Sequence, residues 1–204
     1  MPSESVPRGS TWRCRVADDE AEITAWALAA GRGDQDAAAR FVRATQHQVR
    51  RFLAALVSPG EADDLAQETF LRAVRSLSSF AGRSSARTWL LAIARRVAVD
   101  HVRAVTARPR TVPMSDGYDD LDVSRSSFDG QVVLEQLISA LPADRREAFV
   151  ATQVLGLSYA EAAEVCDCPV GTIRSRVARA REDLVAAVDS RAARGPRRGG
   201  DAAG

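Results

Sequence analysis

The run from residue 158 to 184 constrains the fold more than any other part of this 204-residue chain. Ser158 followed by Glu161 is a capping-box pattern, which marks the start of a helix. Proline and glycine do not easily continue a helix, so a break and a second start are indicated by Pro169, Gly171 and Thr172. The run therefore predicts two helices joined by a short turn.

The second of these helices has two unlike sides. At about 100° per residue, one stripe contains Ile173, Val177, Ala180 and Leu184, and we expect it to face a core. The opposite side holds Thr172, Ser175 and Arg179, with Arg174 and Arg176 on the flanks. Short polar groups facing base edges and arginines facing phosphates are typical of a helix in the DNA major groove. A solvated basic helix that ends a bundle is the alternative interpretation.

Charge is distributed in blocks, although the net charge is only +1. Residues 82–110 contain seven arginines and a single acid, Asp100. The sign reverses over residues 113–129, where five aspartates accompany only Arg125. Such blocks indicate localised surfaces for a polyanion, although the net charge alone does not indicate nucleic-acid binding.

Several classes of protein are disfavoured by what the sequence lacks. No apolar stretch approaches the ~20 residues of a membrane span, and the first residues lack a signal-peptide core, so we expect a cytoplasmic protein without membrane insertion. Cys14, Cys166 and Cys168 are too few and too irregularly spaced for a disulfide framework. Half-buried thiols are favoured for Cys166 and Cys168 over a metal or redox role. We expect no enzyme activity, cofactor or metal, because no phosphate loop or spaced carboxylate pair is present.

The pattern of helix formers and breakers predicts an all-α fold of two small helical domains joined by a flexible linker. The first domain, residues 17–104, is expected to contain helices near 18–31, 36–57, 62–80 and 85–104. Prolines, Gly117 and the acidic cluster predict an extended linker over residues 105–129. A second helical domain is predicted over residues 130–189. Disordered ends are predicted over residues 1–16 and 190–204.

The predicted helix over 62–80 has an apolar residue in the middle of its charged side. Its inner stripe comprises Ala66, Thr69, Phe70, Ala73 and Leu77, and its outer side comprises Asp64, Gln67, Glu68, Leu71, Arg72 and Arg75. Leu71 with its polar surroundings resembles an anchor and rim at a protein interface. A singly exposed leucine of no particular function is the alternative.

The next predicted helix combines an aromatic residue with a basic stripe. Trp89, Arg96 and Arg103 are spaced by sevens and lie along one side, with Asp100 beside them, and the leading end holds Arg83, Ser84, Ser85 and Arg87. This combination suits unstacked bases, because aromatic stacking accepts any base while arginine neutralises phosphate. Alternatively, Trp89 belongs to the core, where most tryptophans are largely buried.

Three segments in this order resemble a known family: Asp63–Ala73, Ser85–Leu90 and the helix-turn-helix Tyr159–Arg181. Over roughly residues 18–188 the chain resembles the bacterial RNA polymerase sigma factors of the extracytoplasmic-function (ECF) class. The resemblance implies a region-two helical bundle and a region-four helix-turn-helix domain.

The resemblance also implies roles for individual residues. The outer side of the 62–80 helix, from Asp64 to Arg75, would bind core RNA polymerase. The unpaired −10 bases would be captured by the segment Arg83, Ser84, Ser85, Arg87, Thr88 and Trp89, although Arg87 stands where relatives often carry an aromatic residue. The upstream edge of that element would be contacted by Arg95, Arg96, Asp100 and Arg103. The −35 element would be read by Thr172, Arg174, Ser175, Arg176 and Arg179.

The implied function is promoter-specific transcription initiation without catalysis by the chain itself. Its implied partners are core RNA polymerase, through the clamp coiled coil of the largest subunit and the flap, and promoter DNA. An anti-sigma factor is a further candidate partner. The acidic linker would thread the polymerase channel. The alternative is a helix-turn-helix regulator that binds duplex DNA without polymerase, for which Leu71 and Trp89 would be unimportant.

Overall fold

A computed structural model describes residues 11–58, 60–107 and 129–193, and these residues form helices, turns and loops without a β-strand. The predicted all-α fold class is thereby confirmed. The chain divides into two compact units between Arg103 and Ala104. No helix within the described ranges is both long enough and apolar enough to cross a membrane.

The first unit is built from four long helices. In chain order these are α1 Thr11–Gly31, α2 Gln35–Leu56, α3 Ala62–Ser76 with a 3-10 turn at Leu77–Ser79, and α4 Ala86–Ala107. The start of α2 is fixed by Asp34, whose side chain accepts a 3.0 Å hydrogen bond from the backbone N–H of Ala37. This is the usual role of aspartate at a helix N-terminus, where backbone donors lack partners.

The helices extend further than the predicted domain boundaries. Helix α1 begins at Thr11 rather than near residue 18, since no proline or glycine interrupts the chain between Gly9 and Gly31. The predicted leader thus overlaps α1, and residues 1–10 lie outside the described part. Residues 105–107 of the predicted linker belong to α4, and residues 190–193 of the predicted tail belong to the last helix. Residue 129 of the predicted linker belongs to the helix Asp129–Ser139, and linker residues 108–128 and tail residues 194–204 lie outside the described residues.

Helix α3 packs against the rest of the unit through small side chains. Its buried side consists of Ala62, Ala66, Thr69 and Ala73, so α3 can approach α2 closely. The predicted inner stripe is confirmed except at Phe70, which is only half-buried. The large, fully buried side chains in the core of this unit are Phe41, Phe52, Leu53, Leu90 and Leu91.

The second unit contains four shorter or more exposed helices. These are α5 Asp129–Ser139, α6 Ala143–Phe149 continuing into a π-helical turn at Val150–Val154, α7 Tyr159–Cys166 and α8 Val170–Ala193. The predicted interruption at Leu141-Pro142 falls between α5 and α6. The predicted core stripe of α8 is buried at Ile173, Val177 and Ala180, while Leu184 is half-buried.

The two-helix prediction for residues 158–184 is confirmed by α7 and α8. Both hydrogen bonds of the capping box are present, from Glu161 N to Ser158 Oγ at 3.2 Å and from Ser158 N to Glu161 Oε2 at 2.8 Å. Helix α7 ends at Asp167, which adopts the left-handed conformation with φ of 50°. Aspartate tolerates this region better than most residues with a Cβ atom. Gly171 lies inside the first turn of α8 rather than marking the break itself.

Candidate binding surfaces

The outer side of α3 is exposed as the sequence predicts. We call this surface the docking face and define it by Asp64, Gln67, Glu68, Leu71, Arg72 and Arg75. Glu68 is half-buried and the other five side chains are exposed, with Leu71 at 53%. Val74, one turn further along, is equally exposed at 53%. Sequence analysis missed Val74, although its spacing of three from Leu71 could have indicated it.

Leu71 lies at the edge of a groove between α2 and α3. The groove has a volume of about 790 Å³, and its apolar lining includes Val42, Phe70, Leu71 and Val74. Polar side chains surround this lining, among them Arg50, Asp63 and Gln67. Leu71 is therefore part of a larger apolar surface with a polar rim, which favours the interface interpretation over that of a single exposed leucine. The contribution of α2 could not be predicted, because the sequence does not fix how two helices align.

Arg72 of the docking face contacts an acid that was predicted to serve a different partner. Its Nε donates to Glu68 Oε1 at 2.7 Å, and its Nη1 donates to Asp100 Oδ2 on α4 at 3.1 Å. These hydrogen bonds, that to Glu68 first, raise the pKa of the Arg72 guanidinium. One ion pair thus joins Arg72 of the predicted polymerase surface to Asp100 of the predicted −10 surface.

The start of α4 is organised by Ser85. Its Oγ accepts the backbone N–H of Thr88 at 3.1 Å and lies 2.9 Å from the Thr88 hydroxyl. Thr88 was predicted to contact DNA, but its side chain is only 1% exposed. This placement corrects the prediction, since a buried hydroxyl engaged with the helix cap stabilises the helix start and does not reach DNA.

Trp89 is half-buried, so its exposure lies between that expected for a residue that stacks on unpaired bases and that expected for a core tryptophan. Its ring packs against Phe80 with 4.9 Å between ring centroids and 38° between planes. Part of the ring therefore belongs to the core. Among the predicted capture residues nearby, Arg83 is exposed, while Ser84, Ser85 and Arg87 are half-buried.

The middle and end of α4 carry the predicted basic stripe and one unpredicted contact. Arg96, Asp100 and Arg103 are exposed, whereas Arg95 is half-buried. His101 Nε2 lies 2.7 Å from Glu61 Oε1, just ahead of α3. The other oxygen of this carboxylate accepts the backbone N–H of Ser58 at 3.3 Å. The hydrogen bonds from the Ser58 side chain first, and then from His101, lower the pKa of Glu61.

We call the outer side of α8 the reading face, defined by Thr172, Arg174, Ser175 and Arg179. Arg174, Ser175 and Arg179 are exposed, and Thr172 is half-buried. The Ser175 hydroxyl donates to Thr172 O at 2.9 Å, so its oxygen can still accept a hydrogen bond. Gly171 and Ala178 are exposed small residues on the same side, which leaves room for a close approach to a groove.

Arg176 differs from the other predicted −35 residues because it is engaged within the unit. Its side chain is 25% exposed, and its Nε lies 3.3 Å from Asp144 Oδ2 of α6. Its Nη1 also donates to Cys168 Sγ at 3.7 Å in the turn before α8. In this conformation Arg176 connects the turn and α6 to α8, and its predicted contact with the −35 element would compete with these interactions and stays a prediction.

Two further arginines of this unit were missed by sequence analysis. Arg145 Nη1 donates to Asp183 Oδ2 at 2.6 Å, which raises the pKa of Arg145. Arg181, an exposed residue on α8, donates from Nη2 to Gln153 Oε1 at 2.8 Å. Both contacts join residues far apart in sequence, so no local pattern could reveal them.

The described residues contain no group of three histidine, cysteine, aspartate or glutamate side chains placed as metal ligands would be. Cys166 is buried and Cys168 is half-buried.

Comparison with known families assigns both units. Residues 41–108 match the family described as Sigma-70 region 2, and residues 131–184 match Sigma-70, region 4. The ECF RNA polymerase sigma factor SigC of Mycobacterium tuberculosis (strain CDC 1551 / Oshkosh) is 54% identical over 173 residues, which cover 84% of this chain and 93% of SigC.

Solved structures agree with this assignment. The sigma factor RpoE of Bartonella quintana, in complex with the anti-sigma factor NepR, is 29% identical with a TM-score of 0.56, and covers 71% of this chain and 92% of that one. CnrH, in complex with the cytosolic domain of CnrY, shares the fold with a TM-score of 0.62 at 24% identity, and covers 83% of this chain and 98% of that one.

The chain belongs to the ECF RNA polymerase sigma factors. Its function is to bind core RNA polymerase and direct promoter-specific transcription initiation.

Proposed function

We propose a division of labour between three surfaces of this sigma factor. The docking face of α3, with the groove beside it, binds core RNA polymerase. Arg83, Trp89 and the basic stripe of α4 capture the unpaired −10 bases, and the reading face of α8 binds the duplex −35 element. This assignment is supported by the match of residues 41–108 and 131–184 to the two sigma regions and by the chemistry of each surface.

The groove with Leu71 at its edge is the observation that carries the polymerase assignment. An exposed leucine beside an apolar groove loses contact with water on docking, and burial of its side chain favours binding. Replacing Leu71 by serine should therefore weaken binding to core polymerase by about tenfold or more, which corresponds to the ~1.4 kcal/mol or more typical of an important interface residue.

Val105→Ser is a matched control, because Val105 lies near the end of α4 and has the same 53% exposure as Leu71. The measurement is the affinity of labelled sigma factor for core polymerase without DNA, followed by run-off transcription. Equal affinities for the two variants would contradict the docking assignment. A wild-type chain that bound promoter DNA but not polymerase would instead indicate a helix-turn-helix regulator.

The reading face is tested with promoters that differ only in their −35 sequence. Arg174→Ala and Arg179→Ala should each reduce initiation from the intact promoter. Arg179→Ala should have less effect on a promoter whose −35 element is scrambled, because the base contacts there are already impaired. Arg174→Ala, on the flank that faces the phosphates, should reduce initiation from both promoters, because phosphate contacts do not depend on sequence. Arg191→Ala, at an exposed position near the end of the same helix, is the control. Loss of the same magnitude on both promoters for Arg179→Ala would contradict −35 recognition by this face.

Three further properties belong to the proposal. The chain performs no catalytic chemistry of its own, and polymerase supplies it. It works in the cytoplasm, where bacterial polymerase and DNA meet. An anti-sigma protein covers the docking face, a suggestion supported by the anti-sigma complex of the Bartonella relative. Such a partner would be retained by the wild-type chain but not by Leu71→Ser, whereas a contaminant would be retained by both.

A further inference from the structure

Two polar bridges connect the same turn of α4 to the residue that precedes α3 and to the second half of α3. Asp100 Oδ2 accepts a 3.1 Å hydrogen bond from Arg72, which lies in the second half of α3. His101 Nε2 lies 2.7 Å from Glu61, the residue that precedes α3. Neighbouring residues of a helix project about 100° apart, so Asp100 and His101 can reach in different directions. One turn of α4 therefore contacts both the start of α3 and its second half.

Four of the six docking-face residues lie between these bridges in sequence. Asp64, Gln67, Glu68 and Leu71 all fall between Glu61 and Arg72 in sequence, and Glu61 also binds the backbone N–H of Ser58 in the preceding loop. The bridges thus fix both the start and the later part of the helix that presents the docking face. Their other ends are on α4, which carries the proposed −10 surface.

The charge of Asp100 favours a structural contact over a DNA contact. Asp100 is the single acid among the arginines of residues 82–110, and a carboxylate facing a phosphate backbone is repelled. Paired with the Arg72 guanidinium, the same carboxylate is neutralised. Arg72 is in turn shared between Glu68 and Asp100, so two of its donors, Nε and Nη1, are directed at this chain.

We propose that Glu61, Arg72, Asp100 and His101 form a brace that holds α4 in a fixed orientation to α3 and so couples polymerase docking to −10 capture. This inference rests on the proposed function and revises it in part, since it makes Arg72 and Asp100 positioning residues rather than direct contacts. Without the brace, a docked factor presents α4 in several orientations, and only a fraction of them is competent to capture bases.

A charge swap tests the Arg72–Asp100 half of the brace. Arg72→Asp and Asp100→Arg should each lower the rate of promoter opening by the docked factor about twofold to fivefold, the range for a half-exposed ion pair. Affinity of the Asp100→Arg variant for core polymerase without DNA should change less than twofold, because this substitution leaves the docking face itself unaltered. The double variant, which recreates the pair in reverse, should restore opening to within twofold of the wild type. Arg40→Asp, at an exposed position of α2, controls for the charge change itself.

Other outcomes overturn the brace. If Arg72 contacts polymerase directly, Arg72→Asp weakens core binding and the swap does not restore it. If Asp100 contacts DNA directly, Asp100→Arg alters promoter opening equally with arginine or aspartate at position 72. Thermal unfolding of each variant identifies any loss caused by misfolding.

A conservative replacement tests the other half. The amide of His101→Gln can still donate to Glu61, whereas His101→Ala cannot, so opening should be retained in the first variant and reduced in the second. Equal reduction in both would overturn this half of the brace. Core binding by the wild-type chain tests the proposed function separately, because it does not depend on the variants. A wild-type chain that failed to bind core would overturn both.

Discussion

Helices α3 and α8 are built alike, with one buried side and one exposed side, but their exposed sides differ in chemistry. That of α3 mixes acids, arginines and the apolar residues Leu71 and Val74 beside a groove. That of α8 carries Arg174, Ser175 and Arg179, with small residues between them. Apolar anchors inside a polar rim suit a protein partner, whereas cationic and short polar groups suit the backbone and base edges of DNA. The exposed sides of two similarly built helices therefore have the chemistry that the proposed function requires for two classes of partner.

The two helices are also held in place differently. Helix α3 packs through small side chains. The 3-10 turn that follows it lies in close backbone contact with the end of α1, because a Cβ atom on Gly31 would lie 2.5 Å from Leu77 O. Helix α8 is held by branched apolar residues and by ion pairs to α6, from Arg145 to Asp183 at 2.6 Å and from Arg176 to Asp144 at 3.3 Å. Arg145 and Arg176 thus contact other helices of the unit, whereas Arg174 and Arg179 face outward, as the proposed DNA contact requires.

The largest effect that we expect comes from the apolar stripe of α8. Ile173→Ala should destabilise the second unit by about 2–5 kcal/mol, because the fully buried side chain leaves a cavity. All three tryptophans, Trp12, Trp26 and Trp89, belong to the first unit. Urea unfolding should therefore shift when followed by circular dichroism, while the fluorescence transition stays in place. An equal shift in both signals would show that the units do not unfold separately.

The next effect distinguishes the close contact beside α3 from the open surface of α8. Gly31→Ala should cost about 1–3 kcal/mol, because the added methyl group meets the backbone carbonyl of Leu77 and forces the helices apart. Gly171→Ala is the matched control, since nothing lies within 4 Å of a Cβ at that position. Thermal unfolding measures both. A stable Gly31→Ala variant would contradict the close approach.

Local sequence patterns predicted the structural features that depend on residues close together in the sequence. The capping box of Ser158 and Glu161 and the buried stripe of α8 follow from spacing within one helix, and the structure shows both. The position of Thr88 was wrong because burial depends on which way the start of α4 faces the rest of the unit. The ion pair of Arg176 could not be predicted because its partner Asp144 lies on another helix, and the groove beside Leu71 needs α2. Contacts between helices depend on how the helices pack together, and the spacing of residues within one helix does not determine this.

Helix caps give a smaller effect and extend the comparison to α4 and α7. Ser85→Ala and Ser158→Ala should each destabilise their own unit by about 1 kcal/mol, the typical value for losing a serine N-cap. The loss should be larger at Ser85, because that substitution also removes the partner of the buried Thr88 hydroxyl. Threonine at each position keeps the hydroxyl and serves as the control. Equal losses at the two caps would indicate that the Thr88 hydroxyl finds another acceptor.

The smallest effect concerns the acid sensitivity of the first unit. Hydrogen bonds from Ser58 and His101 lower the pKa of Glu61 below its ordinary value of 4.5. A carboxyl group whose pKa is depressed by folding contributes stability above its unfolded pKa, and this contribution is lost as the pH falls through the folded value. Glu61→Gln should therefore be less stable than the wild type at neutral pH, and the difference should shrink as the pH falls below 4.5.

The control for this comparison is Glu22→Gln, which makes the same chemical change at an exposed position of α1. Denaturant unfolding followed by tryptophan fluorescence, repeated from neutral to acidic pH, gives the free energy of unfolding of the first unit for all three chains. A Glu61→Gln difference that stayed constant across this range would mean that the Glu61 carboxylate contributes by packing rather than by its charge. The link from α4 to the loop before α3 would then not depend on ionisation, unlike the Arg72–Asp100 ion pair at the other end of the helix.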